Sequence, residues 1–130
     1  MSYLDKSDGR LKGGARMDED YEYPTDEELN TIRTFDTTKR PIRELVEYIK
    51  SLWRNPDFGF KLYRGRDTLF KKSVMRLELY TGGWSGNESI MEALLNNLCV
   101  YYSFWEESRR GGHYRFEIPM DKWKQRRANI

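Results

Sequence analysis

The fold of this chain is decided by residues 73–118, SVMRLELYTGGWSGNESIMEALLNNLCVYYSFWEESRRGGHYRFEI. Apolar and polar residues alternate over 73–80 and again over 113–118, which is the period of a strand with one buried face. Between them, apolar residues recur at helical spacing from Ile90 to about Ser108. The pattern predicts one helix of roughly 25 residues between two strands, and this helix would organise the core.

Two glycine motifs bound the predicted helix. Ser85 and Glu88 have the spacing of a capping box, which predicts the helix start. Gly111 and Gly112 predict its end, since glycine readily adopts the positive φ found just past a helix. A straight helix of that length spans about 37 Å. We therefore expect the two motifs to lie at opposite ends of the helix, too far apart to share a site within one monomer.

The residues upstream predict two shorter helices and a strand. Thr25 and Glu28 form a second capping-box pattern, and another helix is predicted from about Pro41 until Pro56 stops it. Alternation over 58–63 predicts a strand. The order is α-α-β-β-α-β, which predicts an α+β fold with a three-stranded sheet packed against the long helix. If the strands flanking that helix are parallel neighbours, their connection is a right-handed crossover.

Length and composition set the class of protein. The chain has 130 residues, 38% hydrophobic and 34% charged, with a mean hydropathy of -0.90. This size fits one domain. The longest uncharged apolar stretch, 94–105, is shorter than the roughly 20 residues that cross a bilayer, and the start lacks the pattern of a secretory signal. We expect a cytoplasmic protein with no membrane partner.

Charge divides the chain into segments. Residues 1–36 hold 5 Lys and Arg against 10 Asp and Glu, giving -5, whereas residues 37–130 hold 18 against 11, giving +7. The predicted organisation is a disordered, acidic and glycine-rich tail at 1–24, a single α+β domain at 25–119 and a basic tail at 120–130. The basic body either meets an acidic partner or is screened by the acidic arm. The alternative is a solvated tail beside an ordinary basic surface.

The first candidate site is TGGWSGNE, residues 81–88. Free N–H groups and the helix dipole favour an anion where glycines precede a helix. The candidate phosphate-binding residues are Gly82, Gly83, Trp84, Ser85, Gly86 and Asn87. The spacing matches neither the P-loop nor the dinucleotide fingerprint, and Glu88 would repel a phosphate unless it caps the helix. The alternative is a tight strand-to-helix turn with Trp84 against the core.

The second candidate site is SRRGGHYR, residues 108–115. Paired guanidinium groups beside a histidine and a tyrosine suit phosphate binding or base stacking. The candidates here are Arg109, Arg110, His113 and Arg115, and the basic tail adds Lys122, Lys124, Arg126 and Arg127 as nucleic-acid contacts. The alternative is that the arginines only meet the negative end of the helix dipole.

Other chemistry is poorly supported. One cysteine and one histidine exclude an internal disulfide and argue against a metal site, and no cofactor is predicted. Cys99 is expected to be a buried, unreactive thiol within the long helix. His113 has the acid–base range for catalysis, although a lone strand histidine is usually a hydrogen-bonded surface residue. The outer sheet face is predicted to be solvated and charge-paired; it comprises Arg76, Glu78, Tyr80, His113, Arg115 and Glu117.

The motifs TGGWSGNE at 81–88 and SRRGGH at 108–113 resemble a group of small uncharacterised proteins encoded by tailed bacteriophages and prophages. The resemblance covers about residues 25–118. It implies a phage product acting in the cytoplasm of a bacterial host, and it implies no catalytic residue.

Three functions remain open from the sequence. The favoured one is a non-enzymatic, phage-encoded binding module that contacts a phosphate-bearing partner, either nucleic acid or nucleotide. The second is an inhibitor or adaptor of a host protein, in which the acidic arm at 18–23 imitates the charge of nucleic acid. The third is a small enzyme that uses His113 with Glu117 or Tyr80.

Overall fold

The computed structural model describes residues 22–67 and 69–126, which form six helices and four strands. The helices are α1 (Asp26–Thr34), α2 (Ile42–Leu52), α3 (Pro56–Gly59), α4 (Ser85–Leu95), α5 (Leu98–Phe104) and α6 (Met120–Trp123). The strands are β1 (Phe60–Arg66), β2 (Ser73–Tyr80), β3 (Trp105–Arg109) and β4 (His113–Pro119). The α+β class is confirmed.

The sheet has four strands in the order β1-β2-β4-β3, and all neighbours are antiparallel. The prediction of three strands is wrong, because β3 forms from residues that were assigned to the end of the long helix. Since β2 and β4 are antiparallel, the predicted condition for a right-handed crossover is not met. The consequence is that the two ends of the 73–118 stretch run side by side with Tyr80 opposite His113.

The predicted single long helix is two helices. Asn97 breaks it: its side chain caps α5 by accepting from the Val100 N–H at 3.2 Å. Its amide also donates to the carbonyls of Ile32 and Phe35, each at 2.9 Å. The buried amide therefore holds the α4–α5 junction against α1. The break turns Leu98 and Cys99 to solvent, so the expectation of a buried thiol at Cys99 is wrong.

The helix boundaries show one correct and two wrong predictions. The Thr25–Glu28 capping box at α1 is confirmed, with both reciprocal hydrogen bonds present. Helix α4 does begin at Ser85, but its N-cap is Trp84 and no side chain caps it, so the second capping box is wrong. Gly111 and Gly112 end no helix; both have positive φ and form the turn between β3 and β4.

The core lies between the inner sheet face and the helices. The buried residues Leu77, Leu79, Phe116 and Ile118 of β2 and β4 pack with those of α1, α2 and α4, which include Ile32, Leu45, Ile49, Ile90 and Leu94. Trp123 of α6 is also buried in this cluster, and the guanidinium of Arg43 lies 5.0 Å from its ring centre. The inner face of the sheet is therefore buried against the helices, and the outer face carries the polar side chains.

Among the described residues, no helix has the length and apolar character needed to cross a membrane.

Candidate functional site

The two glycine motifs meet at one end of the sheet. The Thr81 N–H donates to the Gly112 carbonyl at 3.0 Å. The rings of Tyr80 and His113 stack with centres 4.2 Å apart and planes 4° from parallel. The expectation that the motifs lie far apart is therefore wrong, because the helix is broken and the flanking strands are antiparallel neighbours.

The residues of the first motif have structural contacts. Gly86 and Asn87 are buried, and the Asn87 amide exchanges hydrogen bonds with the backbone of Arg54 at 2.8 and 3.2 Å. The same amide donates to the Thr81 carbonyl at 3.3 Å. The Arg54 guanidinium lies 4.7 Å from the Trp84 ring centre.

The exposed part of the same turn comprises Gly82, Gly83 and Ser85. The Thr81 hydroxyl lies 3.4 Å from a carboxylate oxygen of Glu88. That carboxylate places negative charge at the start of α4, where a phosphate was expected. The contacts are those of a strand-to-helix turn, but Trp84 lies against Arg54 and Phe58 and is not part of the core cluster that the alternative expected it to join.

The arginines of the second motif differ in how far they are neutralised. Arg109 pairs with Glu107 at 2.9 Å. Arg115 lies 3.5 Å from Glu106 and 3.7 Å from Glu107. Arg110 is exposed, and no described acidic side chain pairs with it. Of these three arginines, only Arg110 keeps an uncompensated charge for a ligand.

Glu78 is the centre of a hydrogen-bond network on the outer sheet face. Glu78 as a whole is 8% exposed, and its carboxylate accepts from the hydroxyls of Tyr63 and Tyr80 and lies 2.9 Å from Nε2 of His113. The hydrogen bond from Tyr63, followed by those from His113 and Tyr80, lowers the pKa of Glu78 to about 2 despite its burial. The same carboxylate raises the pKa of Tyr63, whereas burial is the main cause that raises the pKa of Tyr80. Glu78 is thus a fixed anion that orients three rings.

This network orients His113 but gives it no activated nucleophile. The two tyrosine hydroxyls have raised pKa values and stay protonated at neutral pH. Glu117, which the enzyme hypothesis pairs with His113, instead forms an ion pair with Arg76 at 2.8 Å. The outer face is charge-paired, as the sequence predicts, but it is not fully solvated, because Glu78 is buried and the other five predicted residues are half-buried. Its geometry therefore supports a structural role better than catalysis.

The first strand of the β1–β2 hairpin and the turn that follows it, residues 60–73, carry an excess of positive charge. The basic residues of this segment are Lys61, Arg64, Arg66, Lys71 and Lys72, against the single acid Asp67. Asp67 serves the turn, since its carboxylate accepts from the backbone N–H groups of Phe70 and Lys71. No described acidic side chain pairs with Arg64, Lys71 or Lys72, and all three are exposed.

Apolar side chains and rings accompany these charges. Tyr63 is 40% exposed, and at the hairpin tip Leu69 is 79% and Phe70 69% exposed. β1 is an edge strand, and no other strand of the described residues pairs with its free edge. Our sequence-based site residues do not include this surface. Its signal was the run KLYRGRDTLFKK at 61–72, in which basic and aromatic residues interleave.

Three residues of the predicted basic tail lie in α6 or directly after it. Lys122, Lys124 and Arg126 are exposed, whereas Arg127 lies outside the described residues. A surface cavity of about 650 Å³ is lined by Pro41, Arg43, Glu44, Lys124, Gln125 and Arg126. Within 22–67 and 69–126, no group of three His, Cys, Asp or Glu side chains could hold a metal ion.

Comparison with known proteins gives no family to which these features can be assigned. No protein-family model, curated protein or solved structure matches the chain. The resemblance to phage-encoded proteins stays a prediction, and the function is argued from the site alone.

Proposed function

We propose that this protein is a non-enzymatic module that binds nucleic acid through the basic hairpin, which we define as residues 60–73. The observation that carries the proposal is a set of exposed cations, Arg64, Lys71 and Lys72, that have no acidic partner among the described residues, together with the exposed ring of Phe70. Cations release counterions from phosphates, and rings stack on bases, so a surface with both suits a nucleic acid.

The hairpin is favoured over the two glycine motifs because of its charge balance. Arg109 and Arg115 are paired with glutamates, and Glu88 lies where an anion would approach α4. A phosphate at those positions would have to displace an ion pair or face a carboxylate. At Lys71 and Lys72 it would meet two cations against the single carboxylate of Asp67, which already accepts hydrogen bonds from the turn. Arg110, which is exposed at the opposite end of the sheet, offers a further contact to a long polymer.

The test is binding of fluorescently labelled single-stranded and duplex DNA and RNA, measured by anisotropy over a range of salt concentrations. The variant Lys71→Ala/Lys72→Ala removes two unpaired cations. The control variant Arg33→Ala/Lys39→Ala also removes two exposed charges, but on α1 and the loop after it, away from the hairpin.

We expect affinity to fall steeply with salt, by a log–log slope of about -0.9 per phosphate contacted on a duplex. The hairpin variant should reduce that slope by roughly 2 and the control should leave it unchanged, because each lysine releases about one counterion. If both variants lose the same affinity, net charge alone drives binding and the hairpin is not the binding site. Absence of binding to every nucleic acid at about 0.1 M salt would reject the proposal.

A further inference from the structure

The tip of the basic hairpin exposes apolar surface that the fold does not use. Leu69 and Phe70 are adjacent, and both are more than two-thirds exposed. The inner sheet face is packed against helices, but at this end of β2 the last buried residue is Val74. The two side chains therefore project beyond the core, where exposing them to water has a cost that packing does not offset.

Hydrogen bonds connect the described residues on the two sides of the tip. The Asp67 N–H donates to the Lys72 carbonyl at 2.9 Å, and the Lys71 N–H donates to the Asp67 carbonyl at 3.1 Å. The Arg66 guanidinium donates to the Lys71 carbonyl at 2.9 Å. Lys71 has a φ of 58°, the left-handed conformation that tightens such a turn. These contacts restrict the backbone at residues 67 and 71–72, which lowers the entropy cost when Leu69 and Phe70 enter a partner.

Cations surround this apolar pair. Lys71 and Lys72 follow it directly, and Arg66 is fixed beneath the turn by its bond to the Lys71 carbonyl. An apolar wedge beside cations can enter the base stack of a duplex while the cations hold the flanking phosphates. Exposed leucine and phenylalanine side chains are used in this way by proteins that kink DNA.

We infer that Leu69 and Phe70 form a wedge that inserts between base pairs of a duplex, so that the partner of the hairpin is double-stranded and is bent on binding. The inference rests on the proposed nucleic-acid function. β1 has 7 residues, or about 23 Å at 3.3 Å each, so Lys61, Arg64 and Arg66 are spread along the strand that leads away from the insertion point.

The experiment separates the wedge from the charges. Binding to a duplex labelled with a fluorescent donor and acceptor at its two ends is measured for Phe70→Ala and Lys71→Ala/Lys72→Ala. Tyr102→Ala is the control, because Tyr102 is a comparably exposed ring on α5, outside the hairpin. Phe70 and Tyr102 are both exposed, so neither substitution should change stability by more than about 0.5 kcal/mol.

We expect Phe70→Ala to weaken duplex binding roughly tenfold with the salt slope unchanged, because stacking involves no counterion release. It should also abolish the shortening of the end-to-end distance. The lysine variant should reduce the slope, and Tyr102→Ala should change neither quantity.

Other results would overturn the inference. If Phe70→Ala binds and bends duplex as the unaltered protein does, or if single strands bind more tightly than duplex, the wedge is wrong while the nucleic-acid function stands. If no nucleic acid binds, both are wrong. Vesicles of anionic lipid provide the remaining arm: Phe70-dependent binding to them without duplex binding would make the tip a membrane anchor and reject the wedge.

Discussion

The meeting of the two glycine turns can be tested by adding one methyl group. In Gly112→Ala, the new Cβ would lie closer to the Thr81 hydroxyl oxygen than real Cβ atoms approach such an atom. Thr81 is almost fully buried and donates its backbone N–H to Gly112, so it has little room to move. Gly111→Ala is the matched control, since its Cβ would meet no atom within 4 Å and its φ of 83° is close to the 78° of Gly112.

The magnitudes follow from these two environments. An alanine held at positive φ costs about 1–2 kcal/mol at either position. Overpacking at Thr81 adds about 1–3 kcal/mol at position 112 alone. We expect Gly112→Ala to destabilise the fold by about 2–5 kcal/mol and Gly111→Ala by about 1–2 kcal/mol. Each kcal/mol corresponds to a fall in Tm of roughly 4 °C for a domain of this size.

The assay is urea unfolding followed by circular dichroism. The free energies of unfolding of the two variants can be compared directly when their m-values are equal. A double variant, Thr81→Ala/Gly112→Ala, removes the clashing oxygen and should recover part of the extra loss, giving a coupling energy of about 1 kcal/mol or more. Equal destabilisation at positions 111 and 112, or no recovery in the double variant, would refute the contact between the two turns.

Three further predictions concern burial and protonation. The lowered pKa of Glu78, about 2 against an ordinary 4.5, stabilises the fold above the ordinary value. As the pH falls from about 5 to about 2, the free energy of unfolding of the unaltered protein should therefore drop by up to about 3 kcal/mol more than that of Glu78→Gln. The same pH dependence of the free energy of unfolding in both proteins would contradict this. Burial, then the charge of Glu117, raises the pKa of Glu106, so ionising Glu106 destabilises the fold as the pH rises through its ordinary range. Glu106→Gln should increase the free energy of unfolding at pH 7 and not at pH 4. The same change in the free energy of unfolding at both pH values would contradict this prediction. Trp123→Ala should cost about 3–5 kcal/mol in denaturant unfolding, because the ring is part of the core, whereas Lys122→Ala should stay within about 0.5 kcal/mol; similar losses would place α6 outside the core.

Much of the local structure could be predicted from periodicity and caps. The start of α1, the second helix and the strands β2 and β4 all follow from patterns within a few residues. The break at Asn97 was missed, although asparagine is a preferred N-cap residue and its bond to the Val100 N–H is local. Its bonds to the carbonyls of Ile32 and Phe35, 65 and 62 residues away, could not be found from periodicity and caps.

The strand β3 escaped prediction for a related reason. Trp105 fits the helical stripe that precedes it, and the next residues, Glu106 and Glu107, show no alternation. Their strand conformation comes from pairing with β4, with a register shift between Trp105 and Glu107. Local preference and tertiary pairing disagree there, and the pairing decides.

The candidate site was predictable in composition and not in position. The interleaved charges and rings of 61–72 could be read directly, but their importance depends on which cations have acidic partners. Arg76 faces Glu117 and Arg115 faces Glu78 only because β2 and β4 pair antiparallel in one register. Once that register is known, the outer face is largely neutralised and the hairpin is left with its charge.

The buried core ends at Val74 of β2, and this boundary affects which parts of the sequence can diverge during evolution. Val74 is buried, whereas Ser73 and the turn residues Leu69 to Lys72 are exposed. Replacements of these exposed side chains remove no buried contact of the core. The sequence of the turn can therefore diverge among descendants of this chain while the packed interior is inherited unchanged.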